Sequence, residues 1–253
     1  MRQENARILS HEGIAQETYR LVLHCPQIAH AAQPGQFVHV LCGTKPLRRP
    51  ISICRAEGDA LTLVYGVRGE GTAWLSERVP GEELNLLGAL GQGFPAPASD
   101  APILLVGGGI GTPPLLDCAH RFAAPFDAIL GFRSATQVIL EDEYRAVCGA
   151  VAVCTEDGSH GTKGFVTAPM QEWLAQKKYA AVYACGPTPM LQAVAGLAKE
   201  LGVPCFVSLE ERMACGVGAC LTCVVKIRVS GAEDYLRVCK NGPVFHAEEV
   251  VWA

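Results

Sequence analysis

Residues 215–239 restrict this chain more than any other stretch. Cys215, Cys220 and Cys223 form a C-x4-C-x2-C run inside Glu210-Glu211-Arg212-Met213-Ala214-Cys215-Gly216-Val217-Gly218-Ala219-Cys220-Leu221-Thr222-Cys223, and Cys239 follows after fifteen further residues. Three closely spaced thiols and a later fourth match the ligand order of a plant-type [2Fe-2S] centre better than the paired Cys-x2-Cys knuckles of structural zinc. A loop wrapped around such a centre must turn its amide N–H groups towards sulfur, which bulky side chains obstruct. Gly216 and Gly218 reach positive φ without strain, and Ala214 and Ala219 allow close approach. Cys215, Cys220, Cys223 and Cys239 are therefore the candidate ligands. A zinc site and ordinary buried thiols remain the alternatives at this point.

With 253 residues and 49% hydrophobic composition, the chain has room for two ordinary domains and a small unit. The formal net charge of −4 supplies no basic field for nucleic acid or an acidic membrane surface, so neither is expected as a partner. Met1-Arg2-Gln3-Glu4-Asn5-Ala6-Arg7 leads into no apolar segment, and no run of eighteen apolar residues occurs, which predicts a soluble, cytoplasmic protein. In a reducing compartment the other eight of the twelve cysteines are core fillers, not disulfides. The seven histidines are dispersed and form no metal motif.

Residues 1–98 read as one unit. Thr18–Leu23, Gln36–Leu41, Ile51–Ile53 and Ala60–Tyr65 are β-rich runs separated by Pro34-Gly35, Glu57-Gly58-Asp59 and Pro80-Gly81-Glu82. Strands this short and regular favour a closed antiparallel barrel, which leaves no open sheet edge. Two stretches carry chemistry. Arg48-Arg49-Pro50-Ile51-Ser52 sets a guanidinium and a hydroxyl three residues apart on a proline-stiffened strand. Val64-Tyr65-Gly66-Val67-Arg68-Gly69-Glu70-Gly71-Thr72 ends a strand in a glycine-rich turn before a short helix, where backbone amides can meet phosphate. Gly91-Gln92-Gly93-Phe94, before Pro95-Ala96-Pro97-Ala98, closes the unit.

Residues 99–210 alternate between strand and helix. The apolar run Ile103–Val106 enters Gly107-Gly108-Gly109-Ile110-Gly111-Thr112 and then a proline-started helix, an order that forms a phosphate cradle at a helix N-terminus. Strands near Asp127–Phe132, Ala150–Cys154, Ala181–Ala184 and Cys205–Leu209, with helices near Val166–Gln176 and Thr188–Leu201, predict a doubly wound sheet. Its ligand belongs at the carboxyl ends of the strands, where 107–112, 155–158 and Cys185-Gly186-Pro187 fall.

Taken together, these stretches resemble the ferredoxin reductase family of flavoproteins, whose Arg-x-Tyr/Thr-Ser pattern stands here as Arg49-Pro50-Ile51-Ser52. The resemblance implies FAD held by Arg49, Pro50, Ile51 and Ser52, by Val64, Tyr65 and Gly66, and by Gly71 and Thr72. Arg49 would neutralise the pyrophosphate, Ser52 would approach flavin N5, and Gly71 and Thr72 would touch phosphate. Close relatives place an arginine directly after the strand tyrosine, where this chain has Gly66, so Arg68 is the substitute candidate. In the same family a Cys-Gly-Pro turn lies beside the nicotinamide, implying that Cys185 packs on that ring and is no covalent nucleophile. No catalytic acid or base is expected, because hydride transfer between nicotinamide and flavin is the cofactors' own chemistry.

Family members that use NADP carry Ser-Arg after the third sheet strand, whereas Cys154-Thr155-Glu156-Asp157-Gly158 presents carboxylates. This favours NAD, with Asp157 on the ribose and Arg133 neutralised by the two acids.

Glu210 to Cys220 is very similar to the electron-transfer subunits of NAD-dependent, type B dihydroorotate dehydrogenases, and the likeness spans the chain. It implies an α+β multi-part fold: an antiparallel barrel for FAD (1–98), a doubly wound α/β domain for NAD (99–210) and a small [2Fe-2S] module (211–253). The gap from Cys223 to Cys239 is shorter than in plant-type ferredoxins, which suits an appended module. The likeness also implies an FMN-containing catalytic subunit that oxidises dihydroorotate to orotate in pyrimidine synthesis, in a heterotetramer with two of each chain. A reductase subunit passing electrons from NAD(P)H to another acceptor, in a ferredoxin- or sulfur-reducing complex, is the other enzyme reading. A zinc-stabilised or redox-sensing binding protein is the reading without turnover.

Overall fold

Alternation of side chains across each strand builds the N-terminal half. The computed structural model describes residues 1–229 and 231–252. Strands β1 (Arg2–Ala15), β2 (Thr18–His24), β3 (Phe37–Val40), β4 (Arg49–Glu57), β5 (Ala60–Gly66) and β6 (Glu83–Leu90) close into an antiparallel barrel ordered β1-β2-β5-β4-β3-β6. Leu21, Leu23, Ile53, Leu61, Leu63, Leu84 and Leu86 fill its interior. Helix α1 (Pro26–Ala29) plugs the barrel beside β5, and α2 (Glu70–Ser76) follows β5. β1 is fourteen residues long with only Ala6 and Ile8 fully buried, so it carries little apolar signal of its own. Pairing with β2 and β6 fixes it.

The second half is a sheet whose central strands are buried on both faces. β7 (Ile103–Gly108), β8 (Phe126–Phe132), β9 (Val151–Thr155), β10 (Thr162–Lys163), β11 (Ala181–Cys185) and β12 (Cys205–Ser208) pair in parallel in the order β10-β9-β8-β7-β11-β12. Helices α3 (Pro113–Arg121), α4 (Glu141–Val147), α5 (Thr167–Gln176) and α6 (Thr188–Glu200) cover the faces. The order reverses at β7, which puts the crevice between the first loop and the loop after β11.

After β12 the chain leaves the sheet, makes the cysteine loop and the hairpin β13 (Val224–Val229) and β14 (Ala232–Arg237), then α7 (Val238–Asn241). It returns as β15 (Val244–His246), antiparallel to β12, and becomes the sheet's edge. Cys223, Ile227, Val238 and Cys239 share one core with Phe37 and Leu90 of the barrel and Val182 and Val207 of the sheet. The cysteine segment is thus packed against both larger units. Among the described residues no helix is long and apolar enough to cross a membrane.

Candidate electron-transfer site

The turn after β5 shows why a glycine stands at 71. A Cβ there would lie 2.4 Å from Nε of Arg49, so the guanidinium lies directly on the first turn of α2. Arg49, on β4, donates from Nη1 to the Leu47 carbonyl at 2.9 Å, which holds its head at the barrel rim. Thr72 closes the turn: its Oγ1 accepts the Arg68 N–H at 2.8 Å and the Gly69 N–H at 3.2 Å and donates to the Gly69 carbonyl at 3.0 Å. A cation therefore lies on the first turn of α2, whose leading N–H groups have no partner within the helix, a donor set that fits a pyrophosphate.

The remaining candidates on these strands divide between faces. Ser52 is half-buried beside exposed Pro50, and Ile51 is buried. Val64 packs towards the sheet domain, whereas the Tyr65 ring points into the barrel, where its hydroxyl meets His11 Nε2 at 2.9 Å. At Tyr65 and Gly66 only backbone is left for a ligand at the rim. Arg68 stands exposed, and burial raises the Glu210 carboxyl against the opposing charge of Arg68.

The two glycine-bearing loops of the sheet domain meet backbone to backbone. A Cβ on Gly111 would lie 2.4 Å from the Cys185 carbonyl oxygen and 2.5 Å from the Gly186 nitrogen. Gly107, Gly108 and Gly111 thus sit against Cys185, Gly186 and Pro187, and of the two loops only Gly109, Ile110 and Pro187 are left accessible. Thr112 is fully buried, with Oγ1 on the Gly109 carbonyl at 2.9 Å and its own carbonyl receiving the Tyr144 hydroxyl at 2.7 Å. Burial, reinforced by the Glu210 charge, pushes the Cys185 thiol up to about 12. It is a neutral packing group and not a nucleophile at physiological pH.

The four thiols of the cysteine segment stand in two pairs, and among the described residues no three metal-ligating side chains gather at one point. Cys215 and Cys220 Sγ lie 3.2 Å apart, with the Cys220 N–H on the Cys215 sulfur at 3.3 Å. Cys239 accepts the Gly218 N–H at 3.2 Å, and its thiol is raised to about 12 by burial and by the neighbouring Cys223 thiol. Hydrogen bonds from Thr222 and Cys215 hold the Cys220 thiol down to about 6. Pairing two and two suits two metal atoms sharing bridging atoms, while a single zinc draws four sulfurs to one point. Backbone N–H groups aimed at sulfur are the further provision such a centre uses.

An iron-sulfur cluster binding domain of dihydroorotate dehydrogenase B matches residues 210–251. The dihydroorotate dehydrogenase B (NAD(+)) electron transfer subunit of Geobacillus sp. (strain WCH70) is 43% identical, over 99% of this chain and 99% of its own. The chain belongs to this family of electron transfer subunits. The Geobacillus kaustophilus (strain HTA426) member is 42% identical over 98% of both chains. Among solved structures, that of an NADH-dependent reduced ferredoxin-NADP oxidoreductase studied for flavin-based electron bifurcation is 31% identical, with a TM-score of 0.87 over 98% of this chain and 90% of that one. An Amycolatopsis cytochrome P450 reductase shares the fold at 22% identity, with a TM-score of 0.67 over 79% of this chain and 66% of its own. Barrel, doubly wound sheet and cysteine segment are thus the ferredoxin reductase fold with the iron-sulfur segment of this subunit family.

Against that family frame, one expectation from the sequence fails. The Arg133 side chain does not neutralise Glu156 and Asp157; its contact with the turn is through its carbonyl, which accepts the Asp157 N–H at 3.3 Å. Asp157 instead folds back on its own turn, with Oδ1 accepting the Ser159 N–H at 2.9 Å and the Ser159 hydroxyl at 2.6 Å. Sequence reasoning also passed over His39 and Asp117, both of which lie where units meet.

Proposed function

We propose that this subunit carries electrons between NAD and an FMN-containing catalytic subunit that oxidises dihydroorotate to orotate in pyrimidine synthesis, in a cytoplasmic heterotetramer with two copies of each chain. As a member of its family the chain is an electron-transferring oxidoreductase subunit that works with FAD, a [2Fe-2S] cluster and NAD. The flavin, when bound, supplies the exchange between hydride and single-electron chemistry. Residues 1–98 would hold FAD, 99–210 would hold NAD, and 211–253 would hold the cluster.

The observation that carries this reading is a strand register. His39 on β3 pairs with Pro50 of Arg49-Pro50-Ile51-Ser52, and the His39 ring lies against Gly216, the neighbour of Cys215. The cysteine loop is therefore one strand from the proposed flavin residues. In this assignment Arg49 and the amides of the α2 turn neutralise and orient the pyrophosphate, with Gly71 keeping room for the guanidinium and Thr72 bracing the turn. Pro50, Ile51 and Ser52, with the backbone of Val64, Tyr65 and Gly66, would hold the flavin ring. Gly107, Gly108, Gly109, Ile110, Gly111 and Thr112 would shape the dinucleotide cradle, Cys185, Gly186 and Pro187 would pack beside the nicotinamide, and Asp157 would meet the ribose with the carboxylate oxygen that Ser159 does not engage. Cys215, Cys220, Cys223 and Cys239 ligate the cluster. None of these residues is asked to act as a general acid or base.

The test compares the purified chain with the chain reconstituted with its catalytic partner. Alone, it is expected to hold FAD and iron and to reduce dyes with NADH, but not to oxidise dihydroorotate. Adding the FMN subunit is expected to give dihydroorotate-dependent NAD+ reduction. Dihydroorotate turnover by the isolated FMN-free chain would overturn the division of labour, as would a colourless protein with stoichiometric zinc.

A further inference from the structure

His39 is a polar residue where the fold offers it nothing polar. Its strand, Phe37–Val40, is buried at every position, and the imidazole is fully buried with neither Nδ1 nor Nε2 hydrogen-bonded. Other histidines meet partners: His11 bonds Tyr65 and the Arg78 carbonyl, His30 lies 3.0 Å from Asp59 and His160 2.7 Å from Glu141. Among the described residues, His39 alone has every polar side-chain atom buried and unpartnered. Leaving a buried donor and acceptor unpaired is destabilising, and an apolar residue would suit this strand better.

The ring's surroundings indicate what it serves. Phe37 lies on one side with ring centroids 5.7 Å apart. On another side is the backbone of Gly216, where a Cβ would lie 2.5 Å from Cε1 and 2.6 Å from Nδ1 of the imidazole. Gly216 has φ +70°, so the loop turns sharply at this contact, directly after Cys215. The Arg48 guanidinium reaches the His39 carbonyl at 3.3 Å and the Asn85 carbonyl at 3.0 Å, fixing the strand behind the ring. Burial, assisted by the Arg48 charge, holds the imidazole down to about 4, so at neutral pH the ring is uncharged and has one N–H to give.

We propose that the His39 imidazole donates its N–H to sulfur of the iron-sulfur centre on the Gly216 side of the loop, acting as a positioning residue contributed by the barrel that sets the centre's reduction potential. The proposal rests on the cluster assignment above. Hydrogen bonds to sulfur favour the more negative, reduced form and raise the potential, so their loss lowers it.

The test uses the full chain carrying FAD and iron, in His39→Leu and His39→Gln forms, with the cluster and flavin potentials followed separately by EPR and visible titration. His39→Leu is expected to lower the cluster's reduction equilibrium constant about tenfold, or about 59 mV for a one-electron couple. His39→Gln, which keeps a donor, is expected to stay near wild type. Iron lost from His39→Leu but retained in His39→Gln also supports the donor role. An unmoved cluster potential in fully loaded His39→Leu overturns it. So do a shift confined to the flavin, equal shifts in both variants, or iron lost from both, which would make the ring a packing element. Wild-type protein without iron would instead overturn the cluster assignment.

Discussion

Gly71→Ala separates flavin retention from fold stability, because the structure gives the two effects opposite signs. The new Cβ would stand 2.4 Å from Arg49 Nε, 3.0 Å from Cζ and 3.1 Å from Cγ, so three atoms of one side chain would have to move together. The backbone itself raises no objection. Gly71 is the second residue of α2 and has no left-handed φ, and alanine in a helix is favoured over glycine by up to about 1 kcal/mol. Displacing Arg49 removes a charge-assisted contact worth about 1.5–3 kcal/mol, which corresponds to about 10- to 150-fold weaker FAD binding. Flavin released on dilution or dialysis, read by fluorescence, gives the affinity; thermal unfolding of the flavin-free form gives the stability. The expected result is weaker FAD binding with apoprotein stability unchanged or raised, and Arg49→Ala should show the same affinity loss. Undiminished FAD affinity in Gly71→Ala would refute the placement of Arg49 over the turn. A matching loss of apoprotein stability would show that the substitution damages the helix instead.

Asp117 on α3 makes stability pH-dependent. Its carboxyl is fully buried against the barrel, with Oδ1 accepting the Ala56 N–H at 3.3 Å and Arg121 Nη1 3.6 Å from Oδ2, and burial raises it to about 6. Its folded value lies above the ordinary one, so between about pH 4 and 6 the native state keeps a proton that the unfolded chain has lost, and stability falls as pH rises through that window. Asp117→Asn is expected to stabilise by about 2–3 kcal/mol at pH 7.5 and by little at pH 4, read as Tm at both; equal gains would refute it. For nucleotide choice, NADH is expected to have the higher kcat/KM. The Glu156→Ser, Asp157→Arg double substitution is expected to move the ratio towards NADPH by about tenfold, the effect of one charged contact of about 1.4 kcal/mol, and an unchanged ratio would sink the assignment.

Much of the fold was legible where a strand announces itself locally. β2, β5, β8, β9 and β11 lie within a residue or two of their apolar runs, because two-residue alternation or a continuous apolar run survives without reference to partners. β1 was not legible: its outward face is polar and its fourteen residues bury few side chains completely. β15, three residues long, exists because β12 offers an edge, which no local pattern announces. The site divides in the same way. Glycine loops and cysteine spacing could be read because they express backbone and ligand demands within a few residues. His39 and Asp117 could not, because what gives them meaning lies far along the chain, at Gly216 for one and Ala56 for the other.

Those long-range contacts bear on how the chain can relay electrons at all. Transfer between fixed centres requires that their holders keep their spacing, and three short units joined by flexible linkers would not. Here the barrel's exit is fastened from two directions. Phe94 stacks on Tyr183 of β11 at 4.9 Å, and the Tyr183 hydroxyl donates to the Pro95 carbonyl at 2.6 Å, tying the barrel to the sheet. The Gln92 N–H donates to the Gly242 carbonyl, and the Leu209 N–H to the Pro243 carbonyl at 2.9 Å, tying barrel and sheet alike to the segment that follows Cys239. β15 then anchors that segment on β12, directly before the run that leads to Cys215. Both ends of the cysteine segment are therefore held by the same sheet, while His39 meets it at Gly216 from the barrel. The loop's outer side is left open: Leu221, next to Cys220, is 73% exposed, and Val217, two residues after Cys215, is also exposed. The inward side of the cysteine loop is thus fixed relative to the proposed flavin strand, and the outward side presents apolar residues beside a candidate ligand.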